Sequence, residues 1–167
     1  MVIYMIFSFG TIRKQISPAI LAVVVILTTL ISVSIPAGAY GIWMMFDARI
    51  QIDTVFIVAI LTIIGYGIND TIIIFDRVRE NMLAHKDIKQ DQLLAVFDDS
   101  IWQTMKRSMG TSLSTLLVLI AMMVFGSGVL ATFAFTVGTG VVASTLSSIF
   151  VAVPTAYLML MLTKKVK

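Results

Sequence analysis

The chain of 167 residues contains no cysteine, one histidine and three prolines, and only 13% of its residues are charged. Without thiols there is neither a disulfide framework nor a thiolate metal site. The lone His85 sits in a polar stretch, so zinc chemistry and Cys or His nucleophile chemistry lack their groups. No metal, no cofactor and no catalytic residue is expected, and the chain does not read as an enzyme. Soluble domains carry about 25% charged residues. Here 59% of the residues are hydrophobic and the mean hydropathy is +1.01, which excludes a water-solvated surface.

The missing charges are missing in blocks. Residues 15–46 carry none, Asp70 stands alone between Asp53 and Asp76, and residues 108–163 carry none. A transmembrane helix needs about 20 apolar residues. The last block would be roughly 84 Å long as one helix, against a hydrocarbon core of about 30 Å, so it must fold back. The pattern predicts an all-α polytopic transmembrane bundle with four full spans, near residues 18–43, 52–75, 108–125 and 130–162. Residues 1–12 are apolar but stop at Arg13 and Lys14, and read as the end of a truncated membrane helix. Gly126-Ser127-Gly128 supplies the turn between the last two spans. The mixed apolar and charged run at residues 76–107 reads as an amphipathic cytoplasmic segment lying along the membrane face, followed after the last span by a short tail at 164–167.

The net charge of +3 does not point to nucleic acid, because the basic residues form no single patch interleaved with aromatics. They sort by side instead. With these spans, eleven of the twelve Lys and Arg fall on the side of the polar segment and the C-terminus, and only Arg49 falls opposite. Positive charge marks the cytoplasmic side. The expectation is a multi-pass protein of the cell membrane with its C-terminus in the cytoplasm, in contact with lipid.

Asp70 is the one ionisable residue far from a span end, where a carboxylate costs about 2.5 to 3.5 kcal/mol on insertion scales. On a helix, Thr62, Tyr66, Asp70, Ile73 and Arg77 fall near one face, with Ile57, Leu61, Ile64, Ile68, Ile72 and Phe75 opposite. Asp70 is therefore expected to face a bundle, with Asn69 beside it and Arg77 two turns on. Three roles compete for it: proton carrier, structural partner of Arg77 or of a neighbouring hydroxyl, and helix-end carboxylate reached by interfacial water. Asp70, Arg77 and Asn69 are the candidate proton-relay residues.

Packing and hinge candidates come from the small residues. Gly65 and Gly67 flank Tyr66, where a neighbouring backbone can come close or the helix can flex. Thr136, Gly140, Ser144 and Ser148 repeat every four residues and form a contact stripe on the last span. Pro36 removes a backbone donor from the carbonyl of Ser32, predicting a kink among Thr28, Thr29, Ser32 and Ser34, and Pro154 predicts another.

The run LTIIGYGINDTIIIFDRVREN at residues 61–81 closely resembles the signature of SecF, a membrane subunit of the bacterial Sec protein translocase. SIWQTMKRSMGTSLSTLL and FAFTVGTGVVASTLSSIFVAVP resemble the last third of the same family. The paralogous SecD shares the Arg-rich end of the first motif, whereas Asn69-Asp70-Thr71 and Phe75-Asp76-Arg77 look like SecF. The family consists of six-helix subunits of the resistance-nodulation-division superfamily, with a large external domain between the first two helices. The resemblance implies that this chain holds the end of helix two and helices three to six. It further implies a role in late protein export driven by the proton gradient, with a SecD-like subunit, the SecYEG channel and the translocating preprotein as partners. A small-molecule or lipid transporter of the same superfamily and a non-transporting helical scaffold are the alternatives.

Overall fold

The computed structural model describes residues 18–46, 50–84 and 92–165. Four helical spans are present: α1 (Pro18–Phe46), α2 (Thr54–Ala84), α3 (Leu93–Phe125), and a fourth made of α4 (Val129–Ser147), a π-helical turn (Ser148–Ala152) and α5 (Val153–Lys165). Each is long and apolar enough to cross a membrane, and the described residues contain no strand. The expected partial helix at residues 1–12 and His85 lie outside the described residues.

α2 and α3 are longer than expected. The polar run at 76–107 forms no separate surface helix among the described residues: α2 continues to Ala84 and α3 already begins at Leu93. Apolar residues inside that run explain the difference. Val78 and Met82 on α2 and Leu93, Val96 and Phe97 on α3 are buried against each other and against α1 and α5. Their spacing continues the apolar stripes of the flanking spans, so the charges lie on the outer faces of two projecting helices.

The last span forms the centre of the bundle, with α4 packed against α1, α2 and α3. Two apolar clusters hold the bundle. One, towards the α2–α3 connection, joins Leu21 and Val24 of α1, Ile74 and Phe75 of α2, Phe97 of α3 and Ala156 of α5. The other, near the opposite end, joins Ala59, Leu119, Ala134, Val137 and Val141. Large apolar side chains face outward along the spans, among them Leu30, Leu61, Leu117 and Phe150, each at least 60% exposed.

The helix-breaking residues act locally. α1 runs through Pro36 without interruption, and the Ser32 hydroxyl donates to the Thr28 carbonyl at 2.9 Å. Thr28, Thr29 and Ser34 likewise donate to carbonyls four residues earlier, so these hydroxyls are occupied by their own helix. Pro154 lies two residues past the π turn, whose wider backbone accommodates a ring that would clash with a regular preceding turn. Gly128, at φ 54°, reverses the chain between α3 and α4 in a conformation that favours glycine.

Candidate functional site

Between the two apolar clusters lies a layer of buried small and hydroxylated residues. α1 contributes Thr28 and Ser32, α2 Asp70 and Thr71, α3 Ser108 and Ser112, and the last span Ser144, Ser147 and Ser148, all at most 6% exposed. Asp70 is the one charged residue in the layer among the described residues, at 4% exposed. It stands 16 residues into α2 and 14 from its end, near the middle of a helix roughly 46 Å long.

Neighbouring helices meet α2 in two registers. α3 runs antiparallel to it. The Ser108 hydroxyl donates to Asp70 Oδ1, Tyr66 shares a hydrogen bond with Ser112 at 2.8 Å, and Asn81 donates to Ser100 at 2.9 Å. α4 runs parallel to α2, stepping by four residues on each: Ile63 lies on Gly140, Gly67 on Ser144, and Thr71 bonds Ser148 at 2.9 Å. Small residues permit this closeness. A Cβ on Gly67 would overlap the Ser144 hydroxyl, and one on Gly140 would overlap three carbons of Ile63. Ser112 also reaches Thr145 at 2.7 Å, so a hydroxyl chain from Tyr66 links α2, α3 and α4 one turn from Asp70.

Two buried polar atoms of the layer have no partner among the described residues, Asp70 Oδ2 and Ser144 Oγ. A carboxylate oxygen buried without a donor is costly. This carboxyl group thus has one oxygen held by a hydroxyl and the other without a donor among the described residues.

The remaining expected residues are distributed differently. Arg77 does not meet Asp70: it pairs with Glu80 one turn along α2 and donates to Gln103 of α3 at 2.6 Å. Two helical turns separate it from Asp70, and acceptors lie closer. Asn69 is exposed on the outer surface of α2, as are Thr62 and Gly65, which has nothing within 4 Å of a Cβ position. Ile72 and Phe75, expected to face lipid, are buried because α1, α3 and α5 enclose this half of α2. Pro36 lies on the buried face of α1.

Ser108 and its row escaped the sequence reading. Ser100, Thr104, Ser108 and Ser112 repeat every four residues and are all at most 7% exposed. The spacing was visible, but the row begins in the polar run and crosses into the span, so a boundary drawn at residue 107 divided it. Tyr66→Phe tests the hydroxyl chain. It is expected to cost about 0.6 kcal/mol and at most about 1.7 kcal/mol, read as the shift in detergent unfolding.

The arrangement defines a class: a polytopic helical membrane protein with one carboxyl group enclosed at mid-helix. The chain belongs to the family of the protein export membrane protein SecD/SecF C-terminal region, whose model matches residues 1–162. It is 48% identical over 111 residues to the protein translocase subunit SecF of Sebaldella termitidis, covering 66% of this chain and 35% of that one. Against the SecF subunit of Synechocystis sp. it is 39% identical over 147 residues, covering 88% of this chain and 44% of the relative. A crystal structure of SecDF in a super-membrane-facing form superposes with a TM-score of 0.82 at 31% identity, covering 98% of this chain and 20% of that one. The chain therefore spans less than half the length of these relatives.

Proposed function

We propose that this protein is an auxiliary, non-enzymatic membrane subunit of Sec protein export, assisting preprotein translocation at the SecYEG channel with energy from the proton gradient. The observation that carries the reading is the Asp70 carboxyl group, enclosed at mid-helix with Oδ2 unpartnered among the described residues. A group that must take up and release a proton needs shelter from lipid and freedom from a permanent ion pair. Both conditions hold here, since Arg77 is committed to Glu80 and Gln103. Asn69 and Arg77 then act as surroundings of the site, not as relay members. The charge distribution supports an orientation with the α2–α3 connection and the C-terminus in the cytoplasm of a cell-membrane protein.

The outer surface of α2 supports a SecD-like partner. Thr62, Gly65 and Asn69 lie on one stripe that no described element covers, and α3 carries a second exposed stripe of Gly110, Thr111 and Ser114. An amide facing acyl chains within the apolar span lacks hydrogen-bond partners, whereas glycines let another helix come close enough to supply them.

Affinity purification of the full-length protein from its membranes tests this reading. A SecD-like subunit is expected to co-purify, and Gly65→Leu, which meets nothing in its own bundle, is expected to reduce its recovery about tenfold at unchanged protein level. Recovery of a bound small molecule with no Sec component would overturn the export reading in favour of a transporter.

A further inference from the structure

The end of the bundle that carries the α1–α2 and α3–α4 connections contains a cavity of about 410 Å³ outside the site described above. Its walls include Tyr40, Trp43, Phe56 and Phe133, and Asp53 is the one charged residue lining it among the described residues. The aromatic walls are held in place. Tyr40 and Phe56 pack with ring centroids 4.5 Å apart, the Tyr40 hydroxyl donates to the Gln51 carbonyl at 2.9 Å, and Trp43 meets Phe135 edge-on at 4.6 Å. Asp53 Oδ1 accepts the Phe56 backbone N–H at 2.9 Å, which fixes the carboxylate at the rim.

A second, apolar groove of about 480 Å³ opens beside it and shares Val55, Val129 and Phe133 with the cavity. Its outer wall is made by Val58, Val129 and Leu130, each at least 46% exposed. The pair of spaces thus joins a small aromatic chamber bearing negative charge to an apolar channel, at the level where helix ends meet the membrane boundary.

We propose that this composite site holds a phospholipid with a primary-amine headgroup. The ammonium group lies against Asp53 and the faces of the aromatic rings, where carboxylate attraction and cation–π contact act together. The first part of an acyl chain follows the groove between α2 and the start of α4. Aromatic side chains at a span end favour this depth. An anionic lipid is disfavoured by the same carboxylate. The site fits the lipid as a whole, since the headgroup chamber alone is open and a free amine would lack the apolar contacts.

Native mass spectrometry of the full-length protein tests the assignment, after extraction from vesicles of equal phosphatidylethanolamine and phosphatidylglycerol content. The retained lipid is expected to favour phosphatidylethanolamine about fivefold. Asp53→Asn preserves the helix cap while removing the charge, and is expected to abolish that preference. Val58→Trp, at an exposed position, is expected to lower total retention by blocking the groove. Equal retention of the two lipids by the unaltered protein, an unchanged preference in Asp53→Asn, or unchanged total retention in Val58→Trp would overturn the proposal. Displacement of the lipid by millimolar phosphoethanolamine would overturn it too, leaving a headgroup site without an acyl component.

Discussion

Substituting leucine for Gly140 is expected to cost the bundle about 3 kcal/mol. The position has no room for a side chain. A Cβ there would overlap Cγ1, Cδ1 and Cγ2 of Ile63 together, so rotation of one Ile63 torsion does not relieve the contact. Overpacking of this kind typically costs about 1–3 kcal/mol, and leucine extends further than Cβ. Because α2 and α4 step past each other in fours, forcing them apart at Gly140 also strains Gly67 against Ser144 and Thr71 against Ser148. Gly140→Ala is the milder test. Paired with Ile63→Ala it should show a coupling of at least about 0.5 kcal/mol, with the double variant less destabilised than the sum of the two. Additive losses would mean that the two residues do not share one contact. Gly65→Leu, measured on the subunit without a partner, is the control, since nothing in its own bundle lies near a Cβ there.

Asp70→Asn is expected to reduce gradient-stimulated export to the level seen without a gradient, while the protein still inserts and assembles. Asparagine keeps an acceptor for the Ser108 hydroxyl and nearly the same shape, so the α2–α3 contact survives. What it loses is the ability to exchange a proton. Ser108→Ala should have the smaller effect, about threefold, because it frees Oδ1 without removing the titrating group. If the role of Asp70 were only structural, the order would reverse: asparagine would be tolerated, and loss of the Ser108 bond would cost as much as loss of the carboxyl group. Export in right-side-out and inverted vesicles with an imposed gradient separates the two.

Much of this architecture was legible in the residues. Charge-free blocks located the four spans, because a charge within the hydrocarbon is costly wherever the chain runs. The enclosure of Asp70 followed from the same cost. The row Thr136, Gly140, Ser144 and Ser148 is buried on the helix that contacts the other three spans. The rotational setting of α2 was not legible. Ile72 and Phe75 look like lipid-facing residues on a helical wheel, yet α2 crosses its neighbours, and its buried side changes along its length. Helical spacing alone gives a face and says nothing of which helices cover it at each level. A neighbouring hydroxyl was among the expected partners of Asp70, but which one was not legible, for a related reason. Arg77 shares the Asp70 face by spacing, but Ser108 comes from another helix whose register depends on residues 93–107 being helical. Once that polar run continues the span, Ser100, Thr104, Ser108 and Ser112 form one stripe, and the hydroxyl opposite Asp70 is determined.

Infrared difference spectroscopy of the full-length protein in sealed vesicles, recorded as the pH difference across the membrane is reversed, isolates the proton itself. A carboxylic C=O band that changes with the reversal and is absent from Asp70→Asn is the predicted result. The same spectrum from both proteins, under either gradient, would show that Asp70 exchanges no proton and would contradict the account.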